Sequence, residues 1–186
     1  ILMNDMLKYS FHLILISTIG TTFRYTDSVL ITYFRGLKEV AVYNAILPTA
    51  LLLWYFPMAI NNIVWPMASE FWNLGKMVEL KKGIELLYRF SLIVVAPLAL
   101  LLFVFSGIIL KLLYGNEYVI GQTALQILVL GMIFFTFHAI NSGVFYGIGK
   151  PKINTIVTLI GSILSLALNL ILIPKFGFIG AAIAAS

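Results

Sequence analysis

Residues 90–114 have the sequence FSLIVVAPLALLLFVFSGIILKLLY, in which Lys111 is the only charged side chain. A helix spans the hydrocarbon core of a bilayer with about 20 predominantly apolar residues, and this stretch exceeds that length. A transmembrane barrel would instead show alternating segments of about ten residues, whereas this run is continuously apolar. The stretch therefore predicts a transmembrane helix.

Four other stretches have the same length and character, and a sixth begins close to the end of the sequence. We number the predicted spans one to six: about Phe11–Phe34, Val40–Ser69, Phe90–Tyr114, Val119–Gly147, Ile153–Ile173 and a truncated span from Phe178. Hydrophobic residues make up 61% of the chain and charged residues 10%, against about 45–50% and about 25% in ordinary globular domains. This composition excludes an open soluble enzyme. It predicts an all-α, polytopic membrane helix bundle with about five complete spans and part of a sixth.

Both ends of the chain have the character of cut ends. The first residue is Ile1 rather than Met, and the last residues, Gly180 to Ser186, stop inside an apolar run. We therefore expect residues 1–186 to be a partial transmembrane domain of a larger protein.

The longest connection between spans, residues 70–89, combines basic side chains with an apolar stripe. The apolar residues recur at steps of three and four: Leu74, Met77, Leu80, Ile84 and Leu87. This pattern is typical of an amphipathic helix that lies along the membrane surface. We expect a solvated connecting helix here, although Gly75 and Gly83 are poor helix formers.

The basic residues of the short loops predict an orientation, because cytoplasmic loops carry an excess of Lys and Arg. Seven of them lie on one side: Lys8, Lys76, Lys81, Lys82, Arg89, Lys150 and Lys152. Four lie on the other: Arg35, Lys38, Lys111 and Lys175. The difference predicts a protein of the cytoplasmic membrane with the Ile1 end and residues 70–89 in the cytoplasm.

Span one contains two ionisable residues at membrane depth, Arg24 and Asp27, which lie three residues apart on one helical face. Such a group costs about 2.5–3.5 kcal/mol to insert, so it marks a functional site by default. Hydroxyl residues extend the same stripe: Ser17, Thr21, Ser28 and Thr32. We expect the stripe to face a wet cavity or a partner helix.

The chemistry of the two residues suggests their roles. The planar guanidinium of Arg24 suits an anionic substrate, and phosphate matches it best. Asp27 would either hold Arg24 in place or carry a proton or a sodium ion. The alternative is an intrahelical ion pair that only neutralises itself, but such a pair does not explain the hydroxyl residues of the stripe.

Span two contains Pro48, Pro57 and Pro66, with Asn61 and Asn62 between the last two. Each proline removes a backbone donor and bends the helix, which is tolerated at membrane depth only where neighbours or water compensate. Broken helices of this kind recur in transporters. The sequence therefore predicts Asn61 and Asn62 in a polar pathway, unless the bends only fit the helices together.

Spans four and five each carry polar residues on one face. His138 and Asn141 lie together in span four, where the histidine is either hydrogen-bonded to a neighbouring helix or part of a proton relay. The spacing in span five is typical of close helix contacts, with Asn154, Thr158, Gly161, Ser162, Ser165 and Asn169 on one face. The predicted transport-pathway residues are therefore Arg24, Asp27, Asn61, Asn62, His138 and Asn141.

The sequence lacks common catalytic, phosphate-binding and metal-binding motifs. There is no cysteine, no glycine-rich phosphate loop, no His-Glu-x-x-His and no Gly-x-Ser-x-Gly. The net charge of +5 comes from basic residues at the ends of apolar runs, which does not indicate nucleic acid. We expect no catalytic residue, no metal site, no cofactor and no nucleic-acid partner.

Several short motifs resemble, in their order along the chain, one family of membrane proteins. They are Tyr25-Thr-Asp27, Leu37-Lys-Glu-Val-Ala-Val-Tyr43, Trp65-Pro-Met-Ala-Ser69, Leu113-Tyr-Gly-Asn-Glu-Tyr118, Tyr146-Gly-Ile-Gly-Lys-Pro-Lys152 and Leu168-Asn-Leu-Ile-Leu-Ile-Pro174 with Lys175-Phe-Gly-Phe-Ile-Gly-Ala-Ala182. The order and spacing are similar to the polysaccharide-transporter branch of the multidrug/oligosaccharidyl-lipid/polysaccharide (MOP) flippase superfamily, which includes the O-antigen and exopolysaccharide flippases. The resemblance is most specific from Leu113 to Ile183.

The resemblance implies two six-helix lobes around a central cavity, with this chain similar to the second lobe, helices seven to twelve. It implies that an undecaprenyl- or dolichyl-linked oligosaccharide crosses the membrane by alternating access. Arg24 would then face the lipid pyrophosphate, and Asp27 or His138 would couple transport to a proton or sodium gradient. The implied partners are the lipid-linked substrate, the missing first lobe, membrane lipids and polysaccharide-assembly proteins.

Other functions stay open at this point. A drug or cation antiporter of the same superfamily usually needs cavity carboxylates, whereas Asp27 is the only acidic residue within a span. A membrane-embedded glycosyl- or acyltransferase needs a carboxylate pair or a His-Asp constellation, which these residues lack. A membrane scaffold without transport activity is a further alternative.

Overall fold

The computed structural model describes residues 10, 11, 14, 17, 18 and 25–186. Ten of the 24 residues of predicted span one, including Arg24, lie outside the described residues. From residue 25 onward the chain forms helices, which we number in chain order: α1 (described over 25–35), α2 (Leu37–Leu51), α3 (Tyr55–Asn73), α4 (Met77–Val104), α5 (Ser106–Tyr114), α6 (Gln122–Gly147), α7 (Pro151–Phe176) and α8 (Phe178–Ala185). Short 3₁₀ segments precede α3 and α6, at Leu52–Trp54 and Asn116–Gly121.

Four helical stretches of the described residues are long and apolar enough to cross a membrane: Leu37–Asn73, Met77–Val104, Asn116–Gly147 and Pro151–Phe176. They correspond to predicted spans two to five, and α8 begins at Phe178, where span six was predicted. The prediction of a polytopic helix bundle is therefore confirmed. The outward faces are apolar as well, since α7 exposes Ile160 and Ile163 by about 60% each, as lipid contact requires.

Span two is broken where its prolines predicted a bend. The α-helical hydrogen bonds of α2 give way to a 3₁₀ turn at Leu52–Trp54 before α3 begins. Pro57 has no backbone N–H to donate to the carbonyl of Leu53, four residues earlier, so the regular ladder cannot continue through this point. Pro48 and Pro66 lie inside α2 and α3 respectively.

Residues 70–89 do not form a helix of their own, and their position at the cytoplasmic interface stays a prediction. Residues up to Asn73 complete α3, a turn follows, and α4 then runs without interruption from Met77 to Val104. Within the apolar stripe, Leu74 and Met77 are exposed, whereas Leu80 is buried in a core shared with α3 and α6. Gly83 permits this contact, since a β-carbon there would lie 2.9 Å from the sulfur of Met67.

Two apolar cores hold the bundle together. The larger one joins α1, α2 and the helices from α4 to α8, with Ile31, Tyr43, Ile46, Leu125, Ile173 and Ala181 among its fully buried members. The smaller one joins α3, α6 and the first turns of α4, with Ile60, Val64, Ala68, Leu80, Ile140 and Val144. Since α6 belongs to both, it connects an Asp27 side of the molecule (α1, α2, α7 and α8) to an Asn141 side (α3, α4 and the second half of α6).

Candidate functional site

The carboxylate of Asp27 is held by side chains from two other helices. The hydroxyl of Tyr43 on α2 donates a hydrogen bond of 3.0 Å to one carboxylate oxygen. The amide nitrogen of Asn169 on α7 donates one of 2.7 Å to the other. We call Asp27, Tyr43 and Asn169 the Asp27 cluster. It ties three helices to a single ionisable group.

The turn between α1 and α2 sets up the first of these contacts. Gly36 adopts a φ of 86°, a conformation that favours glycine, so the chain reverses within one residue. α2 then runs back along α1, and Tyr43 reaches Asp27, 16 residues earlier. Tyr43 is 0% exposed and Asn169 is 1% exposed. Because hydrogen bonds to a charged acceptor are stronger than neutral ones, the cluster offsets part of the cost of placing Asp27 there.

Asn169 has hydrogen-bonding capacity left over. An ionised carboxylate only accepts hydrogen bonds, so the amide nitrogen must face Asp27 and the amide oxygen faces away. This oxygen is buried and has no hydrogen-bond partner among the described residues. A buried acceptor without a partner is costly. Asn169 therefore presents an unused oxygen ligand close to the carboxylate.

The polar stripe on span one contacts α2 at Ser28. The hydroxyl of Ser28 donates a hydrogen bond of 2.8 Å to the side-chain oxygen of Asn44. Thr32 bonds back to the carbonyl of Ser28 at 2.7 Å, within its own helix. At Ser28 the stripe therefore meets a partner helix. Arg24 is not described, so its cavity position and its contact with Asp27 stay predictions.

A second polar contact joins the same helices at the end of the bundle where Gly36 lies. Arg35 Nε is 3.5 Å from Oε1 of Glu39, and Arg35 Nη2 donates a hydrogen bond of 3.3 Å to the carbonyl of Lys175. The other oxygen of Glu39 accepts the backbone N–H of Phe178 at 3.1 Å. We call Arg35, Glu39 and the main-chain groups of Lys175 and Phe178 the Glu39 clamp. Its carboxylate caps the amino terminus of α8, where the helix dipole favours negative charge.

The predicted pathway residues Asn61 and Asn62 lie on the Asn141 side. The side-chain oxygen of Asn61 is buried without a hydrogen-bond partner among the described residues, and it packs on α6 at Gly143. An alanine at Gly143 would overlap this oxygen. Asn62, the next residue, is exposed.

His138 and Asn141 also lie on this side, along α6. The hydroxyl of Tyr88 on α4 donates to the side-chain oxygen of Asn141, whose nitrogen bonds the carbonyl of Phe137 at 3.1 Å. The ring of His138 lies 5.8 Å from that of Phe135, centre to centre, at an angle of 53°, and it borders a recess that Ser186 also lines. The structure therefore distributes the described pathway residues over two sides of the bundle.

Sequence reasoning missed Tyr43, Asn169 and Glu39 as site residues. A signal was available, because each belongs to a motif that supported the family resemblance. The segments that contain Asp27, Glu39 with Tyr43, and Asn169 with Gly177 are far apart in the chain. In the structure they converge on the Asp27 cluster and the Glu39 clamp.

Comparisons with known proteins place this geometry in context. The family model described as MatE matches residues 13–171. An uncharacterized membrane protein of Methanocaldococcus jannaschii is 42% identical over 86% of this chain and 32% of its own length. A Shigella flexneri protein named as an O-antigen transporter is 28% identical over 86% of this chain and 38% of its own. A Haloferax volcanii protein named as the low-salt glycan biosynthesis flippase Agl15 is 26% identical over 97% and 38%.

The chain spans about a third of the length of these relatives, between 32% and 38%. No solved structure matches it.

Proposed function

Since the chain belongs to the MatE family, a multi-pass membrane family within the MOP superfamily, we propose that it is part of a transporter that moves lipid-linked oligosaccharide across the cytoplasmic membrane. The superfamily resemblance seen in the sequence motifs is confirmed at this level. The names of the Shigella flexneri and Haloferax volcanii relatives support the choice of substrate class.

The observation that carries the proposal is the Asp27 cluster. A carboxylate at membrane depth is costly and is retained where it serves ion or substrate movement. Here two buried side chains from different helices, Tyr43 and Asn169, hold it in one orientation. A membrane scaffold has no need of such a group, whereas a coupled transporter does.

In this proposal residues 1–186 form the second lobe, and the transporter completes its cavity with a first six-helix lobe. The orientation predicted from the basic loops puts the Gly36 turn and the Glu39 clamp on the outer face. Rocking of the lobes would expose the cavity alternately to the two sides. Membrane lipids and polysaccharide-assembly proteins would be its partners, and the chain itself would carry out no covalent chemistry.

Asp27 would couple this movement to an ion gradient. Its carboxylate and the unpaired oxygen of Asn169 are hard oxygen ligands, which suit a proton or a sodium ion. Binding of either cation would compete with the hydrogen bonds from Tyr43 and Asn169, so it would loosen the contact between α1 and its two partner helices. The proposed role of Asp27 is thus to make helix packing depend on ion occupancy.

Arg24 would engage the substrate. It lies three residues before Asp27 in predicted span one, and the helical period would put its guanidinium on the same face, toward the cavity. A pyrophosphate offers the paired oxygens that a guanidinium binds in bidentate geometry. Other parts of the pathway would be lined by Asn61, Asn62, His138 and Asn141.

The test replaces Asp27 in the full-length protein, produced in a strain that lacks its own copy. Asp27→Asn keeps the size of the side chain and removes the charge, so we expect it to abolish polysaccharide export while the protein stays in the membrane. Lipid-linked oligosaccharide should accumulate on the cytoplasmic side. Glu117→Gln is the matched control, because it neutralises an exposed acid outside the proposed pathway, and it should export normally.

Two further measurements sharpen this test. Arg24→Ala should also abolish export. The coupling ion is identified from initial export rates, which are measured first against sodium concentration at fixed pH and then against pH at fixed sodium concentration. Normal export by both Asp27→Asn and Arg24→Ala would contradict the proposal. Loss of drug resistance in place of export would favour the antiporter instead.

A further inference from the structure

The Asp27 cluster and the Glu39 clamp connect the same helices at two levels. Asp27 and Arg35 are eight residues apart on α1, and Asn169 and Gly177 are eight residues apart at the end of α7. At 1.5 Å per residue, both intervals correspond to about 12 Å along the helix axis. On α2, Glu39 and Tyr43 are one turn apart, so a single helix contributes to both levels. The two polar contacts therefore act as successive ties between α1, α2 and the α7–α8 corner.

An apolar layer lies between these two levels. Ile31 is four residues from both Asp27 and Arg35, and Ile173 is four residues from both Asn169 and Gly177. Both isoleucines are 0% exposed and belong to one core cluster, together with Val40 at 8%. This layer separates the Asp27 cluster from the end of the bundle where the clamp lies.

The clamp itself is only partly buried. The side chains of Arg35 and Glu39 are 35% and 30% exposed. Water therefore competes for these groups, and an ion pair in such a position is held weakly. At the α7–α8 corner, Gly177 has a φ of 59° and no side chain, which leaves room for the carboxylate of Glu39 beside the start of α8. An alanine at Gly177 would overlap the carboxylate of Glu39.

From this arrangement we propose that Glu39, supported by Arg35, is a positioning residue that keeps the Ile31–Val40–Ile173 layer closed and so separates the Asp27 cluster from water at the Gly36 end. Opening of the clamp gives an ion access to Asp27 through the bundle itself. The consequence for transport rests on the proposed function, since it makes the clamp the outer barrier on the path of the coupling ion. The closure of the layer does not depend on transport and can be measured alone.

The absence of cysteine from the chain makes a direct test available. Ile31→Cys places a single thiol in the layer of the full-length protein, with any cysteine outside these 186 residues replaced by alanine. Intact cells and inverted membrane vesicles are treated with a charged, membrane-impermeant thiol reagent, and the labelling rate is measured. We expect slow labelling of Ile31→Cys from both sides.

Variants of the clamp should then change that rate in a defined order. Glu39→Ala removes both the ion pair and the acceptor for Phe178, so labelling from the Gly36 side should rise about tenfold or more, as expected for loss of charge-assisted hydrogen bonds. Glu39→Gln keeps the acceptor and loses only the charge, so it should give a smaller rise. Gly177→Ala displaces the carboxylate by overlap and should behave like Glu39→Ala.

Matched controls separate this effect from general loosening. Glu117→Ala removes an exposed acid near the same end and should leave the labelling of Ile31→Cys unchanged. Leu37→Cys, whose position is 75% exposed, should react quickly in every background, and Val64→Cys, at a 0% exposed position of the other core, should stay protected. The proposal is wrong if the labelling rate of Ile31→Cys is unchanged in both Glu39→Ala and Gly177→Ala. It is also wrong if these variants raise the labelling of Val64→Cys by the same factor.

The labelling experiment and the export experiment fail independently. Unchanged labelling in a protein whose Asp27→Asn variant has lost export would remove the clamp and leave the proposed function. If the clamp variants raise the labelling of Ile31→Cys but Asp27→Asn exports normally, the closed layer is supported and its role in transport is contradicted.

Discussion

The Asp27 side and the Asn141 side of the bundle contain similar polar residues, but the burial of these residues and the charge of their partners differ. On the first, a carboxylate joins three helices through Tyr43 and Asn169, both of which are almost completely buried. On the second, Tyr88 and Asn141 form a neutral and exposed contact between two helices. The difference shows that a polar residue in a membrane helix takes its role from what surrounds it. Charge and burial together are the reason why we place the proposed coupling group on the Asp27 side.

The largest expected effect comes from removing the carboxylate that distinguishes the two sides. Asp27→Ala leaves the hydroxyl of Tyr43 and the amide of Asn169 buried without their partner, and each such group costs about 1–3 kcal/mol. Removing a half-buried charge offsets part of this, so we expect a loss of about 2–4 kcal/mol in the free energy of unfolding. Reversible unfolding in mixed micelles titrated with dodecyl sulfate measures it.

The matched variant on the other side is Asn141→Ala. Hydrogen bonds between helices in membranes average about 0.6 kcal/mol, and this one is exposed, so the loss should not exceed that value. Equal losses for the two variants would remove the distinction between the sides.

The next largest effect is expected at the contact between α3 and α6 on the Asn141 side, from a variant that changes no polar side chain. In Gly147→Ala the new β-carbon would lie 2.6 Å from the backbone oxygen of Trp65 and 2.7 Å from Cβ of Ala68. Backbone atoms cannot move aside as a flexible side chain does, so α3 and α6 should separate at a cost of about 1–3 kcal/mol. Thermal unfolding in nanodiscs measures the change.

Gly161→Ala serves as its control, because nothing lies within 4 Å of a β-carbon at that position of α7. Alanine is the better helix former by about 0.8–1.0 kcal/mol, so this variant should be neutral or stabilising. A destabilised Gly161→Ala would show that α7 makes contacts there beyond those of the described residues.

The spans of this fold were predictable because apolar length is a local property of the chain. Spans two to five and the start of α8 follow from it, and Pro57 predicted the break at Leu52–Trp54. The helix boundaries within residues 70–89 could not be predicted, for a physical reason. An apolar stripe can be buried equally well against lipid or against protein, and the pattern does not identify its partner. In the structure Leu80 packs with α3 and α6, whereas Leu74 and Met77 are exposed.

A smaller effect compares the two tyrosines that donate to the polar groups of each side. Tyr43→Phe removes one hydrogen bond to a charged acceptor, worth about 1.5 kcal/mol, whereas Tyr88→Phe removes one to a neutral amide, worth about 0.6 kcal/mol. The dodecyl sulfate titration used for Asp27→Ala resolves this difference. Additive losses in the double variant Asp27→Ala with Tyr43→Phe would contradict the contact between them.

The sequence predicted a site residue only where the residue itself is costly to place in a membrane. Asp27 could be identified because it is an acid inside an apolar span, which is unusual wherever it occurs. Tyr43 and Asn169 have no such cost of their own and are 16 and 142 residues away from it, so the only sequence signal for them was their place in the family motifs. Asn169 also lies on a stripe whose spacing is typical of helix packing, and Asn154 and Ser162 on that stripe are indeed buried. The predicted roles of Arg24, Asn61, Asn62, His138 and Asn141 stay predictions.

The smallest expected effect comes from a cation–π contact on the Asn141 side. This contact is the counterpart of the ionic Glu39 clamp on the Asp27 side. Lys150 Nζ lies 4.7 Å from the centre of the Trp72 ring, which connects the end of α3 to the turn before α7. An exposed contact of this kind contributes about 0.5–1 kcal/mol. Trp72→Leu should therefore lower the free energy of unfolding by that amount, and Lys150→Arg should preserve it, since guanidinium also binds aromatic faces. Because the contact involves no charged acceptor, its loss should leave the labelling of Ile31→Cys unchanged. A Trp72→Leu variant that opens the Ile31 layer would show that the two ends of the bundle are coupled.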